Sequence, residues 1–420
     1  MKKKAVSMML VAAMAVSLAV GCGSNGGGAS GSGEGKKYDG VTLNYWSMWN
    51  SNEPQGQVIQ EAADAFSEET GATINIEWKG RTINEMIATA LQANEPIDIF
   101  EDGYERITAQ YKDYLYDLTE MAEAANYSDH SFACFNEKAI EGAGFLCCIT
   151  EQPQVGGIFY NKDIFEDCGI EVPTTWTEFL AACQTMKDNG YQPMALDGAY
   201  ADFFFGYHLD RIIGQDAISD LAVNGGWASN EGVIQAAEQI IDFVESGYLA
   251  EGAPDEYPAS QNKMGLDQDV AMVVCANYVV AEVNNNTQTE LNWGLFNYPE
   301  VEGGVDPTNA YAGANSLAIP SYSENPQAAF DFIMFLTQGE WDQKMADTAS
   351  QIPADPSNTA PAVMDGTIET LNATTDPLDW NMGMNDNADL KASFKDTIIR
   401  LFEGQFATGE EFAEAMDALY

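Results

Sequence analysis

The chain has 420 residues, of which 18 are basic and 65 are acidic, so its formal net charge is −47. So few basic residues cannot neutralise the phosphates of a nucleic acid, which excludes nucleic-acid binding. The same charge disfavours an anionic substrate, and it indicates either a surface that keeps the protein in solution or a cationic ligand. The hydrophobic content of 45% is ordinary for a globular protein. The length exceeds what one hydrophobic core usually serves, which predicts two lobes.

The amino-terminal residues have the pattern of an export signal. Lysines at positions 2–4 precede an uncharged stretch, Ala5–Val20, which is shorter than the roughly 20 residues of a spanning helix. Residues 1–22 end with a small residue and Cys22. This ending resembles the lipobox of bacterial lipoproteins, although Ala19 stands where that motif usually has Leu. We expect cleavage before Cys22, lipid attachment to Cys22, and a location on the extracytoplasmic side of the cell membrane.

A flexible linker follows the signal. Residues 23–35 (GSNGGGASGSGEG) are almost entirely glycine and serine, a composition that forms a flexible coil and cannot build a core. We therefore expect this segment to tether a globular body that begins near Lys36. The tether would hold that body close to the membrane.

The cysteines after Cys22 are even in number, which in an exported protein favours disulfides. Their surroundings favour free thiols, because several lie in apolar runs such as GFLCCIT and VAMVVCANY. We predict six free thiols, at Cys134, Cys147, Cys148, Cys168, Cys183 and Cys275. The sequence contains neither a CxxC pair nor a Cys/His cluster, so we expect no metal site and no cofactor.

The first elements form a βαβ pattern. Val41–Tyr45 reads as a strand, and Asn52 and Pro54 suit the start of a helix that ends at Gly71. A second strand (ATINIEW), a helix over Ile83–Asn94 and a third strand over Ile97–Phe100 follow. Because ligands gather at the carboxyl ends of such strands, the loops at 46–50 and 101–103 should open on one edge.

Strands and helices continue to alternate along the chain, which predicts an α/β fold. The predicted elements are strand runs within Gly144–Tyr160, strands at Val270–Ala276, Trp293–Asn297 and Ser316–Pro320, and helices at Thr177–Asn189, Glu231–Ser246, Pro326–Thr337, Leu390–Phe402 and Glu410–Leu419.

Five segments in this order resemble the extracellular solute-binding proteins of ABC importers, in particular the sugar-binding group that includes maltose-binding protein. They are the opening strand–helix–strand that begins YWSMWNSNEPQ, the strand PIDIFEDG, the stretch GGIFYNKDIFEDCGIEVPTTWTEFL, the segment QNKMGLDQDVAMVVCANY, and NAYAGANSLAIPSYSENPQAAFDFIMFLTQ. The resemblance covers the chain from Val41 to Leu419.

The resemblance implies a two-lobed periplasmic-binding-protein-like clamp of type II, whose chain crosses between the lobes three times. By position, the crossings fall near Glu151–Gly156, Trp293–Tyr298 and Gln338–Trp341. Lobe one would comprise residues 36–150 and 299–337, and lobe two residues 152–292 and 339–420. Ligand would bind in the cleft, and closure would be read by the membrane permease subunits of an ABC importer. We expect the protein to be a monomer.

We expect such a cleft to contain two kinds of side chain. Aromatic rings stack on the apolar faces of a sugar, and carboxylates and amides bond its hydroxyls. The loops placed there by strand order or by the resemblance supply both. The predicted ligand-binding residues are Trp46, Trp49, Asn50, Glu101, Asp102, Gln154, Asp197, Tyr200, Asp202, Asn277, Tyr278, Tyr311, Asn315 and Trp380.

Other functions remain open at this point. A polyamine or betaine would also suit aromatic faces beside carboxylates, through cation–π contacts and ion pairs. A lipid-anchored glycosidase would need a pair of carboxylates, which so acidic a sequence cannot single out. The two histidines, His130 and His208, lie in no catalytic motif, and no nucleophile elbow, P-loop or HExxH helix is present. The sequence therefore predicts a binding protein and not an enzyme.

Overall fold

The structure is a computed structural model, and it describes residues 35–305 and 308–420. The predicted signal peptide, the lipidation site Cys22 and residues 23–34 of the predicted linker lie outside the described residues. Within the described ranges, no helix combines the length and the apolar character needed to cross a membrane.

The strands belong to one mixed eight-stranded sheet with the order β2-β1-β3-β8-β4-β6-β5, and β7 pairs with β4 beside this path. The pairs β1–β2, β1–β3 and β5–β6 are parallel, and every pair that includes β4 or β8 is antiparallel. The strands are β1 (Thr42–Ser47), β2 (Thr73–Trp78), β3 (Ile99–Gly103), β4 (Ile149–Asn161), β5 (Gln192–Ala195), β6 (Val270–Ala276), β7 (Trp293–Phe296) and β8 (Ala312–Ala318).

In sequence order, the α-helices lie between the strands and after the last strand. They are α1 (Pro54–Thr70), α2 (Ile83–Ala93), α3 (Tyr104–Arg106), α4 (Thr119–Ala124), α5 (Ala133–Ala143), α6 (Lys162–Cys168), α7 (Trp176–Asp188), α8 (Ala201–Ile213), α9 (Gln215–Asn224), α10 (Glu231–Glu245), α11 (Ala259–Leu266), α12 (Tyr278–Thr287), α13 (Pro326–Thr337), α14 (Gly339–Ala349), α15 (Thr367–Ala373), α16 (Lys391–Phe402) and α17 (Gly409–Asp417). The predicted α/β class is confirmed.

Local sequence signals explain where several helices begin and end. Helix α1 has Pro54 in its first turn and ends at Gly71, whose φ of +83° is a conformation that glycine adopts readily. Helix α7 begins with a capping box between Thr175 and Glu178. The prediction of Asn52 as the cap of α1 is wrong: the capping position is Glu53, and its side chain accepts no capping hydrogen bond.

Strand β4 joins two hydrophobic cores. The first core contains residues of β1, β3, α1 and α13, and Ile149 at the start of β4 belongs to it. The second core contains residues of β5, β6, β7, α7, α8 and α10, and Val155, Ile158, Phe159 and Tyr160 in the second half of β4 belong to it. The first half of β4 pairs with β8, whereas the second half pairs with β6 and β7. One strand therefore carries the chain from one core to the other.

The crossings remain predictions, and the packing favours other positions for two of them. Tyr298, Val301 and Tyr311 still belong to the second core, whereas Leu317 belongs to the first, so the packing favours a second crossing along β8. Helix α14 packs on α1, and its buried Met345 belongs to the first core. This packing favours a third crossing after Ala349, later than the predicted 338–341.

The six cysteines after Cys22 are free thiols, as predicted. All except Cys168 are buried, and the Cys147 and Cys148 sulfur atoms lie 4.0 Å apart. Burial raises the pKa of the Cys183 and Cys275 thiols well above its ordinary value, so these groups stay protonated and act as small apolar core residues.

Glu151 lies at an irregularity in β4, where the register with β8 shifts between Thr150 and Gln152. Its side chain is buried, and neither carboxylate oxygen has a hydrogen-bond partner among the described residues. Burial first, and then the nearby carboxylate of Asp342, raise the pKa of Glu151 well above its ordinary value. Burial and the proximity of Glu151 likewise raise the pKa of Glu101. The first crossing thus holds a buried carboxyl group that favours its neutral form.

We expect the wild-type protein to lose stability as the pH rises, and we expect Glu151→Gln to remove this loss. The folded state binds the Glu151 proton more tightly than the unfolded state, so wild-type stability should fall as pH rises above about 4.5. Between pH 5 and pH 8, the free energy of unfolding should fall by at least about 1 kcal/mol more in the wild type than in the variant. Urea unfolding at both pH values measures this difference.

The control is Glu123→Gln at an exposed glutamate of α4, which should unfold with the pH dependence of the wild type. Identical pH profiles for the wild type and Glu151→Gln would contradict the assignment of a neutral carboxyl group at the crossing.

Candidate functional site

Four aromatic side chains surround Trp380. The Trp380 ring stacks on Phe203, with ring centroids 4.2 Å apart and planes 13° apart. The rings of Tyr311 and Tyr200 approach it edge-on at 5.2 and 6.0 Å, and the ring of Tyr278 lies roughly parallel at 6.3 Å. We call Tyr200, Phe203, Tyr278, Tyr311 and Trp380 the aromatic platform. Trp380 and Tyr278 are only partly buried, so the platform reaches the surface.

The platform is fixed to β4. The backbone N–H of Tyr311 donates to the Tyr207 hydroxyl (2.6 Å), which donates to the Gly156 carbonyl oxygen (3.0 Å). Gly156 leaves room for the rings, because a Cβ there would lie 2.6 Å from Phe203 Cζ and 3.1 Å from Tyr311 Cβ. Only glycine therefore allows the two aromatic side chains to lie against this part of the strand.

Two amides connect the platform to the first half of the crossing. The Tyr311 hydroxyl donates to Gln154 Oε1 at 3.3 Å. Asn277, directly before Tyr278, accepts from the Val155 N–H through its side chain (3.0 Å), and its own N–H donates to the Val155 carbonyl (3.1 Å). Gln154 thus contacts the platform, whereas the Asn277 side chain holds β6 and α12 against β4.

Carboxyl groups surround the platform. Asp202 accepts from Asn381 Nδ2 at 2.6 Å and lies 3.5 Å from Lys395 Nζ. Glu105 and Asp379 are exposed residues, yet burial of their carboxyl groups raises the pKa of each, and Asp379 also raises the pKa of Glu105. Burial raises the pKa of Tyr311 first, and the charges of Glu105 and Asp379 are among the groups that raise it further, so both carboxyl groups lie in the neighbourhood of this ring.

Trp46, Trp49 and Asn50 lie in a separate group at the end of β1. Lys79 Nζ lies 3.8 Å above the Trp46 ring, and the guanidinium of Arg81 lies 4.1 Å above the Trp49 ring. The indole N–H of Trp49 is buried and has no partner among the described residues. Asn50 bonds to the Glu53 carboxylate through its backbone and side-chain N–H groups. These contacts cover both tryptophan rings with cations of the protein itself.

Glu101 and Asp102 lie inside β3 and not in the loop after it, so their placement in that loop is wrong. Glu101 accepts from Ser47 Oγ (2.9 Å), from the Met48 N–H (2.7 Å) and from the Tyr45 hydroxyl. Arg106 Nε donates to both Asp102 oxygens, at 2.9 and 3.0 Å, and the Tyr111 hydroxyl donates at 3.1 Å. Both carboxylates are fully buried and bonded within the protein.

Asp197 and Asn315 also lie apart from the platform. Asp197 accepts from the N–H groups of Ser260 (2.8 Å) and Gln261 (3.1 Å), which are the orphan donors at the start of α11. Burial raises its pKa to about 6, although these two hydrogen bonds oppose the shift. Asn315 is partly buried in β8, where it pairs with Gly103 and Gln152.

The structure therefore brings together six of the predicted residues: Gln154, Tyr200, Asp202, Tyr278, Tyr311 and Trp380. The other predicted residues are held in contacts outside the platform. They are Trp46, Trp49, Asn50, Glu101, Asp102, Asp197, Asn277 and Asn315. The sequence reasoning missed Phe203, Glu105, Asp379 and Asn381. The positions of Asp379 and Asn381 on either side of Trp380 were an available signal. Within the two described ranges, no group of three or more His, Cys, Asp or Glu residues is arranged to hold a metal ion.

The family model for bacterial extracellular solute-binding proteins matches residues 50–343. The chain belongs to this family. Its members are binding proteins that act outside the cytoplasm, at the cell surface or in the periplasm, which confirms the resemblance predicted from the sequence. The match covers the crossing strand β4, helices α6 to α13 and every member of the aromatic platform except Trp380.

Curated relatives have similar sequences over part of their length. The multiple sugar-binding protein of Streptococcus mutans is 25% identical over 276 residues, which is 63% of this chain and 61% of that protein. The melibiose/raffinose/stachyose-binding protein MelE of Bacillus subtilis is 22% identical over 328 residues, or 74% of this chain and 73% of MelE. This solute-binding protein therefore spans less than two thirds of the first relative and nearly three quarters of the second.

Solved structures show the fold. The bacterial solute receptor AcbH superposes with a TM-score of 0.73 at 16% identity, covering 90% of this chain and 98% of AcbH. The apo form of RafE from Streptococcus pneumoniae superposes with a TM-score of 0.69 at 18% identity, covering 92% and 98%. The predicted two-lobed clamp of type II is confirmed by these likenesses and by the two cores.

We expect Asp197→Ala to lower the stability of this solute-binding protein and to leave its ligand affinity unchanged. The substitution removes the acceptor for two orphan N–H groups of α11, so the free energy of unfolding should fall by about 1–2 kcal/mol in urea titrations. The matched control is Asp267→Ala at the exposed carboxyl end of the same helix, which should not destabilise the protein. Loss of ligand binding in a folded Asp197→Ala variant would contradict the capping role.

Proposed function

We propose that this solute-binding protein binds a carbohydrate, an oligosaccharide, in the cleft that contains the aromatic platform. The observation that carries the proposal is Trp380, whose ring lies among four other aromatic rings and directly between Asp379 and Asn381. Aromatic rings stack on the apolar C–H faces of a sugar, and amides and carboxylates bond its hydroxyls. Gln154, Asp202, Glu105 and Asp379 supply such groups around the platform.

The relatives support the same class of ligand. The Streptococcus mutans relative is named for binding multiple sugars, and MelE for binding melibiose, raffinose and stachyose. Two superposable structures are complexes with raffinose and stachyose. The platform gives this chain the side chains that recognition of a sugar requires.

The proposal also includes delivery of the bound ligand by this protein to the permease subunits of an ABC importer. A ligand that contacts both cores binds the closed clamp more tightly than the open one, so binding shifts the population toward closure. The permease would read the closed form of a monomeric receptor that lipid on Cys22 tethers to the outer face of the membrane. The lobes of the clamp would be the two cores joined by β4, with boundaries near those predicted and the third crossing after Ala349. No catalytic step is part of this proposal.

A polyamine or betaine is the second candidate, because Glu105, Asp379 and Asp202 surround the platform with carboxyl groups. A cation could combine ion pairs with these groups and a cation–π contact with Trp380. This candidate differs from a sugar in one measurable respect, since binding of a cation by carboxylates weakens as salt screens the charges.

A thermal-shift screen separates these candidates. Disaccharides to tetrasaccharides of the α-galactoside, xylan and chitin series would be tested beside spermidine and glycine betaine, because a bound ligand raises the melting temperature. We expect stabilisation by at least one oligosaccharide series, with an affinity that changes little between 50 and 500 mM salt. Stabilisation by spermidine or betaine alone would overturn the assignment of a sugar as the ligand. Release of shortened sugars would overturn the assignment of the protein as non-catalytic.

We expect Trp380→Ala to weaken binding of the stabilising sugar by at least about tenfold, the equivalent of about 1.4 kcal/mol, because the central stacking face is lost. Isothermal titration calorimetry measures the change. Trp78→Ala is the matched control, since Trp78 is a partly buried tryptophan that packs on the first core at the end of β2. Equal affinity in the wild type and Trp380→Ala would contradict the proposed site.

A further inference from the structure

A groove of about 350 Å³ lies between elements of the two cores. One wall is formed by α12, with Ala281, Asn285 and Gln288 among its residues. The opposite wall is formed by Pro54 at the start of α1 and by the end of α14, including Thr348 and Ser350. The groove therefore separates the second core from the first, as the proposed ligand cleft does.

Helix α12 connects this groove to the platform. Tyr278 of the platform is the first residue of α12. A helix advances by about 100° per residue, so Tyr278, Ala281 and Asn285 lie along one stripe of its surface. At about 1.5 Å per residue, Asn285 lies about 10 Å from Tyr278 along the helix axis. Ala281 and Asn285 thus lie within about 60° of Tyr278 around α12, whereas Val280 and Asn284 line the groove from farther round the helix, so the groove borders the stripe that carries Tyr278.

The groove is lined by groups that bond to hydroxyls. Asn285 and Gln288 supply amides, Thr348 and Ser350 supply hydroxyls, and Glu290 is the one charged side chain among its ten lining residues, all of which the structure describes. Gln288 and Ser350 are also the capping residues at the carboxyl ends of α12 and α14. Backbone carbonyls at helix ends accept hydrogen bonds from outside the helix, and Gln288 Nε2 donates to one of them, Asn285 O, at 2.7 Å.

We propose that this groove is a subsite for the distal units of an oligosaccharide whose first ring lies on the aromatic platform. The inference rests on the proposed sugar-binding function and adds the length of the ligand to it. Each sugar ring beyond those held by the platform would bring more hydroxyls to the amides and carbonyls of the groove. Affinity therefore rises with chain length, and side chains of α12 set that preference.

Calorimetry on a length series tests this subsite in the full mature protein. The probes are melibiose, raffinose and stachyose, together with the disaccharides to tetrasaccharides of the xylan and chitin series. In the series that binds, we expect the tetrasaccharide to bind more tightly than the disaccharide. Asn285→Ala should weaken the trisaccharide and tetrasaccharide about tenfold and leave the disaccharide within twofold.

Asn286→Ala is the matched control, because Asn286 is the next residue of α12, lies about 100° round the helix and donates to Asn262 at 3.2 Å. It should leave the affinities of all lengths unchanged. Ala281→Phe should block the groove and abolish the preference for longer ligands. Equal wild-type affinity for every length, or an equal loss for every length in Asn285→Ala, would overturn the subsite and leave sugar binding intact. Absence of binding by every sugar would overturn the proposed function and the subsite together.

Discussion

The two cores of this protein depend on one strand that serves both. The residues of β4 before Gly156 pair with β8, which itself runs from the second core into the first, and those from Gly156 onward pair with β6 and β7 in the second. The change of partner coincides with Gly156 and Gly157, where no side chain would fit: a Cβ on Gly157 would lie 2.7 Å from the Phe296 carbonyl oxygen. A crossing this tightly packed fixes the path of the chain between the cores and limits the ways in which they can move apart.

The candidate site is built on that crossing. Tyr311 is bonded to it through Tyr207, the Tyr311 hydroxyl reaches Gln154, and Asn277 clamps the start of α12 to Val155. Any rotation about β4 therefore changes how the platform faces the first core, and a ligand that contacts both sides biases that rotation. The carboxyl group of Glu151, on the same strand, has no hydrogen-bond partner among the described residues, and its raised pKa predicts that the stability of the crossing depends on pH.

Most of the fold could be predicted from sequence, because periodicity and caps are local: α1, β6 and α13 lie within one or two residues of their predictions. The site was only half predictable. Sequence placed carboxylates after strands but not the groups they bond, so Asp102 was not linked to Arg106, nor Asp197 to the start of α11. Phe203 and Glu105 were missed because only tertiary packing brings them to Trp380 and Asp379.

The central claim is that a sugar lies on the aromatic platform between the two cores. A crystal structure of the protein with the most stabilising oligosaccharide tests it most directly. The account predicts a sugar ring in contact with Trp380 and Tyr278, and hydroxyls bonded to groups of both cores. A sugar bound elsewhere, for example in the cavity of about 490 Å³ beside Phe66 and Phe330, with the platform unoccupied, would contradict it.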